Sequence, residues 1–355
     1  MTILGPSLFG LANSNRDFQL ADTWGKNQFN SSFPASMICY MASKGLDAKF
    51  IVSRTSKIAV EEISFKDATG IDWNSPELFF SFESEYSPYH KYVTGALPRV
   101  DLVIQNMKSN LQLCPLEIKL TAMPDNTTCD LHEDKYGSEL VIRPDTIVYL
   151  ALSLIHNQGF SGAELKLILD KYNIDNLNFA DEITVLGEFS KIASLVNELV
   201  LKFEAKQKPL VMQPIWKTLG KFPRLADNCL DLFIWSDVGF LKFNIDICKV
   251  NARTTNINRQ MRSIIWLVKM LHEFCSKGHF LAEKITNELI YGSRNDKAFA
   301  VSGFVTNGYM TCPELIKPRL ERKEIKNIIL GGGEKLLSPE RRFDAIVFSS
   351  ADIFG

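Results

Sequence analysis

The chain has 355 residues, 46% of them hydrophobic and 23% charged, with a formal net charge of −1. That length is enough for a full hydrophobic core, in one elaborated domain or two. The near-zero charge excludes a polybasic protein that grips nucleic acid regardless of sequence, though it allows positive charge gathered in one cleft, and no apolar run reaches the length of a membrane span.

The first 50 residues open with a polar, Asn-rich loop and then a helix over 34–44. Pro34 suits a first-turn position, Ser31 or Ser32 the cap, and Met37, Ile38, Tyr40 and Met41 supply apolar bulk. Residues 47–105 are rich in β-forming types. Two runs, Pro98–Gln105 (PRVDLVIQ) and Cys114–Thr121 (CPLEIKLT), read as strands, and the polar stretch Asn106–Asn110 closes them into a hairpin. Met123-Pro124-Asp125-Asn126 ends the second strand. A third strand, Glu139–Ile142, precedes a helix that Pro144 begins and that runs to about Ile155. Ile147, Leu150, Ala151, Leu154 and Ile155 line one face of it.

From 160 to 208 the chain reads helical, with Gly187 as a weak point. A second β segment follows over Leu230–Trp235 and Phe240–Ile247, then a helix over Asn256–Cys275. The remainder mixes short strands with turns such as Gly331-Gly332-Gly333. No repeat, low-complexity tract or charged linker divides the chain. The expectation is one body over 1–355, with a core over 47–157, a helical insertion over 160–208 and a C-terminal α/β part over 209–355.

The proposed hairpin carries the chemistry. Fifteen residues separate Asp101 from Glu117, and Lys119 follows two positions later. Strand alternation puts Asp101, Val103 and Gln105 on one face, and Glu117 and Lys119 on one face. Paired in register, two carboxylates and an ammonium converge. Mg²⁺ takes one or two protein carboxylates and keeps its other positions for water and phosphate oxygens. It polarises a phosphate and lowers the pKa of bound water. A lysine beside them orients that water, offsets charge on the phosphate or acts as a base. The plain alternative is an outward Glu-x-Lys pair that only solvates a strand. Against it, Val-Asp-Leu-Val-Ile and Leu-Glu-Ile-Lys-Leu embed the acids in apolar runs, where a charge needs a partner.

These residues, with Pro98 upstream, resemble the metal-binding core of the PD-(D/E)xK nucleases. The longer strings PRVDLVIQN, CPLEIKLTAMPD, SNRDFQLADTWGKNQFNSSFP and LSPERRFDAIVF resemble type II restriction endonucleases of the HindVP kind, nearly end to end. The resemblance implies an α/β restriction-endonuclease core, a mixed central sheet flanked by helices, with helical and α+β insertions. It also implies double-strand cleavage at a short palindrome, GRCGYC, with Asp101 and Glu117 as Mg²⁺ ligands for one or two ions and Lys119 as the motif lysine. Pro98 departs from the pattern by standing three residues before Asp101. Some such enzymes add an acid from a preceding helix, for which Glu61, Glu62, Glu83 and Glu85 are candidates. A palindrome is matched by a symmetric pair of subunits, so a homodimer is expected. A cognate DNA methyltransferase would act on the same site without needing to bind the enzyme. Two other readings stay open: a repair or resolvase-type nuclease that reads DNA shape, and a non-catalytic DNA-binding α/β protein.

Base edges are read by Asn, Gln and Arg, and phosphates are held by Lys and Arg. Lys26, Asn27, Gln28 and Asn30 form one such group, which reads equally as a capping loop. Arg253, Asn256, Arg259 and Arg262 form a second at a helix entry, where phosphate is attracted. Arg319, Arg322, Lys323 and Lys326 read as plain surface. The seven cysteines are scattered without C-x-x-C spacing, and the five histidines without H-x-x-x-H spacing, so neither a disulfide framework nor a zinc site is expected. Gly331–Gly333 fails the phosphate-loop spacing and no G-x-S-x-G elbow occurs. Reduced thiols and the lack of a secretory leader point to the cytoplasm.

Overall fold

The computed structural model describes residues 13–15, 35, 38–39, 41–54, 57–119, 140–157, 160–204, 210–212, 217–219, 222–224, 233–234, 241–242, 245, 255–292 and 299–301. Residues 35, 38–39 and 41–43 are helical, as the sequence indicates, and Ala35, Ile38 and Met41 are buried. Strands β1 (Ala48–Arg54) and β2 (Lys57–Ile63) pair antiparallel. The short helix α1 (Phe65–Thr69) follows, capped by Ser64, whose hydroxyl accepts from Asp67 N–H at 3.0 Å, and closed by Gly70 at φ 73°. Strand β3 (Leu78–Ser84) and a 3-10 turn over Ser87–Tyr92 complete the stretch. Both helical pieces interrupt a region whose composition reads as strand alone.

The hairpin forms, but its second strand ends at Leu116 instead of running on through Glu117 and Lys119. Strands β4 (Val100–Asn106) and β5 (Leu111–Leu116) pair antiparallel, with β3 on the other side of β4. The Asn106 side chain closes the turn, accepting from Lys108 and Ser109 N–H groups, each at 3.0 Å. Residues 13–15 bridge the outer edge of β3 in parallel through Ser14 and Phe80, which gives this otherwise antiparallel sheet a mixed character. Central β4 is covered on both faces. Leu102 and Ile104 lie level with Phe82 and Phe80, and Phe80 stacks on Trp73 with ring centroids 6.2 Å apart. Val103, on the opposite face, joins the helical core.

Past β5, strand β6 (Ile118–Lys119) leaves that sheet, and β7 (Leu140–Ile142) leads into α2 (Pro144–Asn157). Helix α3 (Gly162–Lys171) starts at a capping box: Ser161 Oγ accepts from Glu164 N–H at 3.2 Å, and the Glu164 carboxylate accepts from Ser161 N–H at 2.9 Å. Replacing Ser161 by Ala is expected to cost about 1 kcal/mol, read as a lowered urea midpoint with an unchanged slope. Helix α4 (Glu182–Glu204) runs straight through Gly187. Strands β8 (Leu210–Met212), β9 (Lys217–Leu219), β10 (Phe222–Arg224) and β11 (Phe233–Ile234) follow, with β8 on β1, β9 on β10 and β11 on β6.

Phe240–Ile247 corrects the sequence reading: among the described residues there, Leu241, Lys242 and Ile245 are helical. Leu241 and Ile245, four apart, are both fully buried. A short apolar run fits a strand and a buried helical turn equally well by periodicity.

Helix α5 (Arg259–Lys277) is the axis of the helical layer, packed by α2, α3, α4 and α6 (Ala282–Glu288). Asn258 caps its start by accepting from Met261 N–H at 2.9 Å, and Gly278 at φ 76° ends it. Every residue from Met261 to Val268 is buried. That stretch is enclosed on all sides, whereas the second half keeps a polar side, with Lys269 and His272 partly exposed and Ser276 and Lys277 exposed. The last described strand, β12 (Phe299–Val301), pairs with β7. Among the described residues no helix is long and apolar enough to cross a membrane.

Candidate active site

Asp101 is the second residue of β4, and Glu117 occupies the break between β5 and β6. The register near the turn pairs Asn106 with Leu111 and Gln105 with Gln112, then shifts by one so that Ile104 pairs with Cys114 and Leu102 with Leu116. Leu113 is the extra residue of this bulge. The ladder ends at the Leu102–Leu116 pair, so Asp101 and Glu117 are the next residues beyond it on each strand.

Side-chain contacts gather beyond the end of the ladder. Asp101 Oδ2 accepts the Ile118 backbone N–H at 2.6 Å. The Asp101 side chain thus takes a donor from the chain just where β6 turns away to pair with β11, Ile118 with Ile234 and Lys119 with Phe233. Glu117 Oε1 accepts the Thr146 hydroxyl at 3.0 Å, and one helical turn on, the Tyr149 hydroxyl donates to the Pro115 carbonyl at 3.2 Å. Helix α2 therefore grips the segment Pro115–Glu117 at two points three residues apart on one helix face. Neither Thr146 nor Tyr149 was singled out by the sequence. The available signal was a Thr-x-x-Tyr pair at i, i+3 in the first turns of an otherwise apolar helix.

Lys119 is placed through its backbone on β6, and its side chain lies outside the described residues. Strict strand alternation does not run through Glu117, which belongs to neither β5 nor β6. Among the acid candidates, Glu83 stands level with Asp101 on β3, between the pairs Phe82–Leu102 and Ser84–Val100, with a φ of 48°. Glu61 and Glu62 lie on β2, opposite Phe50 and Lys49 in a different sheet. Glu85 is 3.4 Å from His90. Among the described residues no three His, Cys, Asp or Glu side chains gather closely enough to hold a metal. The carboxylate oxygens of Asp101 and Glu117 are of the chemical kind that a hard divalent ion keeping most of its waters takes.

The second basic group is divided. Asn256 and Arg259 are exposed, but Arg262 is only 2% exposed, which corrects the expectation that it contacts DNA. Its Nη1 donates to the Ile290 carbonyl at 3.2 Å and its guanidinium lies 4.9 Å from the centre of the Trp266 ring. Burial, with Arg259 nearby, pushes its pKa below the ordinary value. Within the fully buried stretch 261–268 that side chain is a core element. Lys26, Asn27, Gln28, Asn30 and Arg253 lie outside the described residues.

A family model described as HindVP restriction endonuclease matches residues 24–354. A probable type II restriction enzyme HindVP of Haemophilus influenzae is 46% identical over 349 residues, covering 98% of this chain and 95% of its own. The type II restriction enzyme HgiDI of Herpetosiphon aurantiacus is 39% identical over 349 residues, covering 98% and 97%. No solved structure matches the chain.

Proposed function

Because the chain belongs to the HindVP restriction endonuclease family, we propose that it is a Mg²⁺-dependent enzyme that cuts both strands of DNA at a short palindrome, with Asp101, Glu117 and Lys119 as its catalytic residues. The observation that carries this reading is the 2.6 Å bond from Ile118 N–H to Asp101, which ties Asp101 to the residue next to Glu117. The α/β body is then a PD-(D/E)xK core with insertions, forming one nuclease unit over 1–355. The enzyme works in the cytoplasm on double-stranded DNA.

Asp101 and Glu117 hold one or two Mg²⁺ ions, which when bound neutralise charge at the phosphate and supply an acidic water. Lys119 orients the attacking water and offsets negative charge as the phosphorus–oxygen bond on the far side breaks. The two acids are held by a backbone N–H and by Thr146, so their orientation is set before DNA arrives. Exposed Asn256 and Arg259, with Lys26, Asn27, Gln28, Asn30 and Arg253, supply base and phosphate contacts. A homodimer matches the symmetry of the target, and GRCGYC is the target that family resemblance suggests.

Plasmid digestion tests this. The wild-type protein in Mg²⁺ is expected to give discrete fragments whose mapped ends fall within one recurring palindrome. A chelator, or Lys119→Ala, is expected to abolish them. A smear, cutting confined to branched DNA, or binding without cutting under any divalent ion would overturn the reading.

A further inference from the structure

We propose that Thr146 is a positioning residue for Glu117, setting the direction of its carboxylate and thereby the affinity of the site for a divalent ion. This rests on the reading of Asp101 and Glu117 as the metal-holding pair. Thr146 is the third residue of α2 and is only 2% exposed. A threonine inside a helix commonly turns its hydroxyl back to the carbonyl four residues earlier. Here that residue is Ile142, which lies before the helix in β7. The hydroxyl is directed instead to Glu117 Oε1 at 3.0 Å. The backbone at Thr146 is anchored by its own N–H to the Arg143 carbonyl at 3.1 Å, and its branched side chain is stiff at the first torsion. The donor therefore has a fixed position.

Two features make this bond more than packing. Its acceptor is a carboxylate, so it is charge-assisted and stronger than a neutral pair. It reaches Glu117 where no β-ladder continues, since β5 has ended and β6 has not begun. Tyr149 provides an internal comparison: it holds the same segment to the same helix, but through the Pro115 carbonyl rather than the acid.

The test titrates Mn²⁺ into the full-length protein and counts bound ion by electron paramagnetic resonance, alongside the Mg²⁺ concentration that gives half-maximal cleavage. Thr146→Val is expected to weaken both about 10- to 100-fold, the usual effect of losing a partner that orients a metal ligand. Thr146→Ser is expected to restore both. Tyr149→Phe is expected to lower the thermal midpoint without moving Mn²⁺ affinity. If Thr146→Val leaves Mn²⁺ affinity unchanged while Glu117→Gln lowers it, the positioning role is overturned and the metal site stands. If Glu117→Gln also leaves it unchanged, the site itself is misassigned. Equal losses in Thr146→Val and Tyr149→Phe would show that the clamp, and not Thr146, is responsible. Should Thr146→Val fail to fold, Thr146→Ala takes its place with the same expected values.

Discussion

Glu117→Gln and Asp101→Asn are each expected to slow cleavage on the order of 10³-fold, or about 4 kcal/mol of transition-state stabilisation, while the protein still folds and binds DNA. Both changes keep shape and remove charge. The Asn side chain at 101 retains an oxygen that accepts from Ile118 N–H, the bond seen at 2.6 Å, and the Gln side chain at 117 retains one for the Thr146 hydroxyl. The strand end therefore keeps its geometry. What is lost is the negative charge that a hard cation requires of its ligands. Single-turnover rates on a duplex carrying the target, with binding measured separately, distinguish this from a folding defect. Because the two groups act on one centre, the double variant is expected to lose little more than either single one.

Trp266→Ala is expected to be the most destabilising of the single changes considered, by about 3 to 5 kcal/mol. The indole is 2% exposed at the centre of α5. Its Nε1 donates to the Leu289 carbonyl at 3.0 Å, which ties α5 to the end of α6. Its ring also covers the Arg262 guanidinium at 4.9 Å. The change thus opens a cavity, strands a buried carbonyl and uncovers a buried charge. A loss of that size is a large share of the 5 to 15 kcal/mol typical of a whole domain. Denaturant unfolding measures it, and Trp266→Phe is expected to fall between the two proteins.

The hairpin was legible because local chemistry fixed it. Two β-forming runs flank a polar turn, and acids embedded in such runs point to a site. The helices at 144–157 and 259–277 were legible for a similar reason, Pro144 marking the first, while the second was read from Asn256 and begins at Arg259. The bulge at Leu113 was not, since nothing local distinguishes one opposing residue from two. Yet it shifts the pairing of the residues beyond it by one. Arg262 was misread because its environment is tertiary: an arginine in a first turn reads as solvent-facing unless the packing of α2, α3, α4 and α6 around α5 is known. Leu241 and Ile245 illustrate the ambiguity of short apolar runs. Thr146 escaped notice because a hydroxyl in a helix is unremarkable until the strand it touches is placed beside it.

Calorimetric titration of Mg²⁺ into the protein bound to its target duplex, wild type against the Asp101→Asn/Glu117→Gln double variant, addresses the metal-holding pair most directly. A binding isotherm in the wild type that disappears in the double variant, with the duplex still bound, is the expected result. The same isotherm in both proteins would place the ion elsewhere and remove these two carboxylates from the reaction.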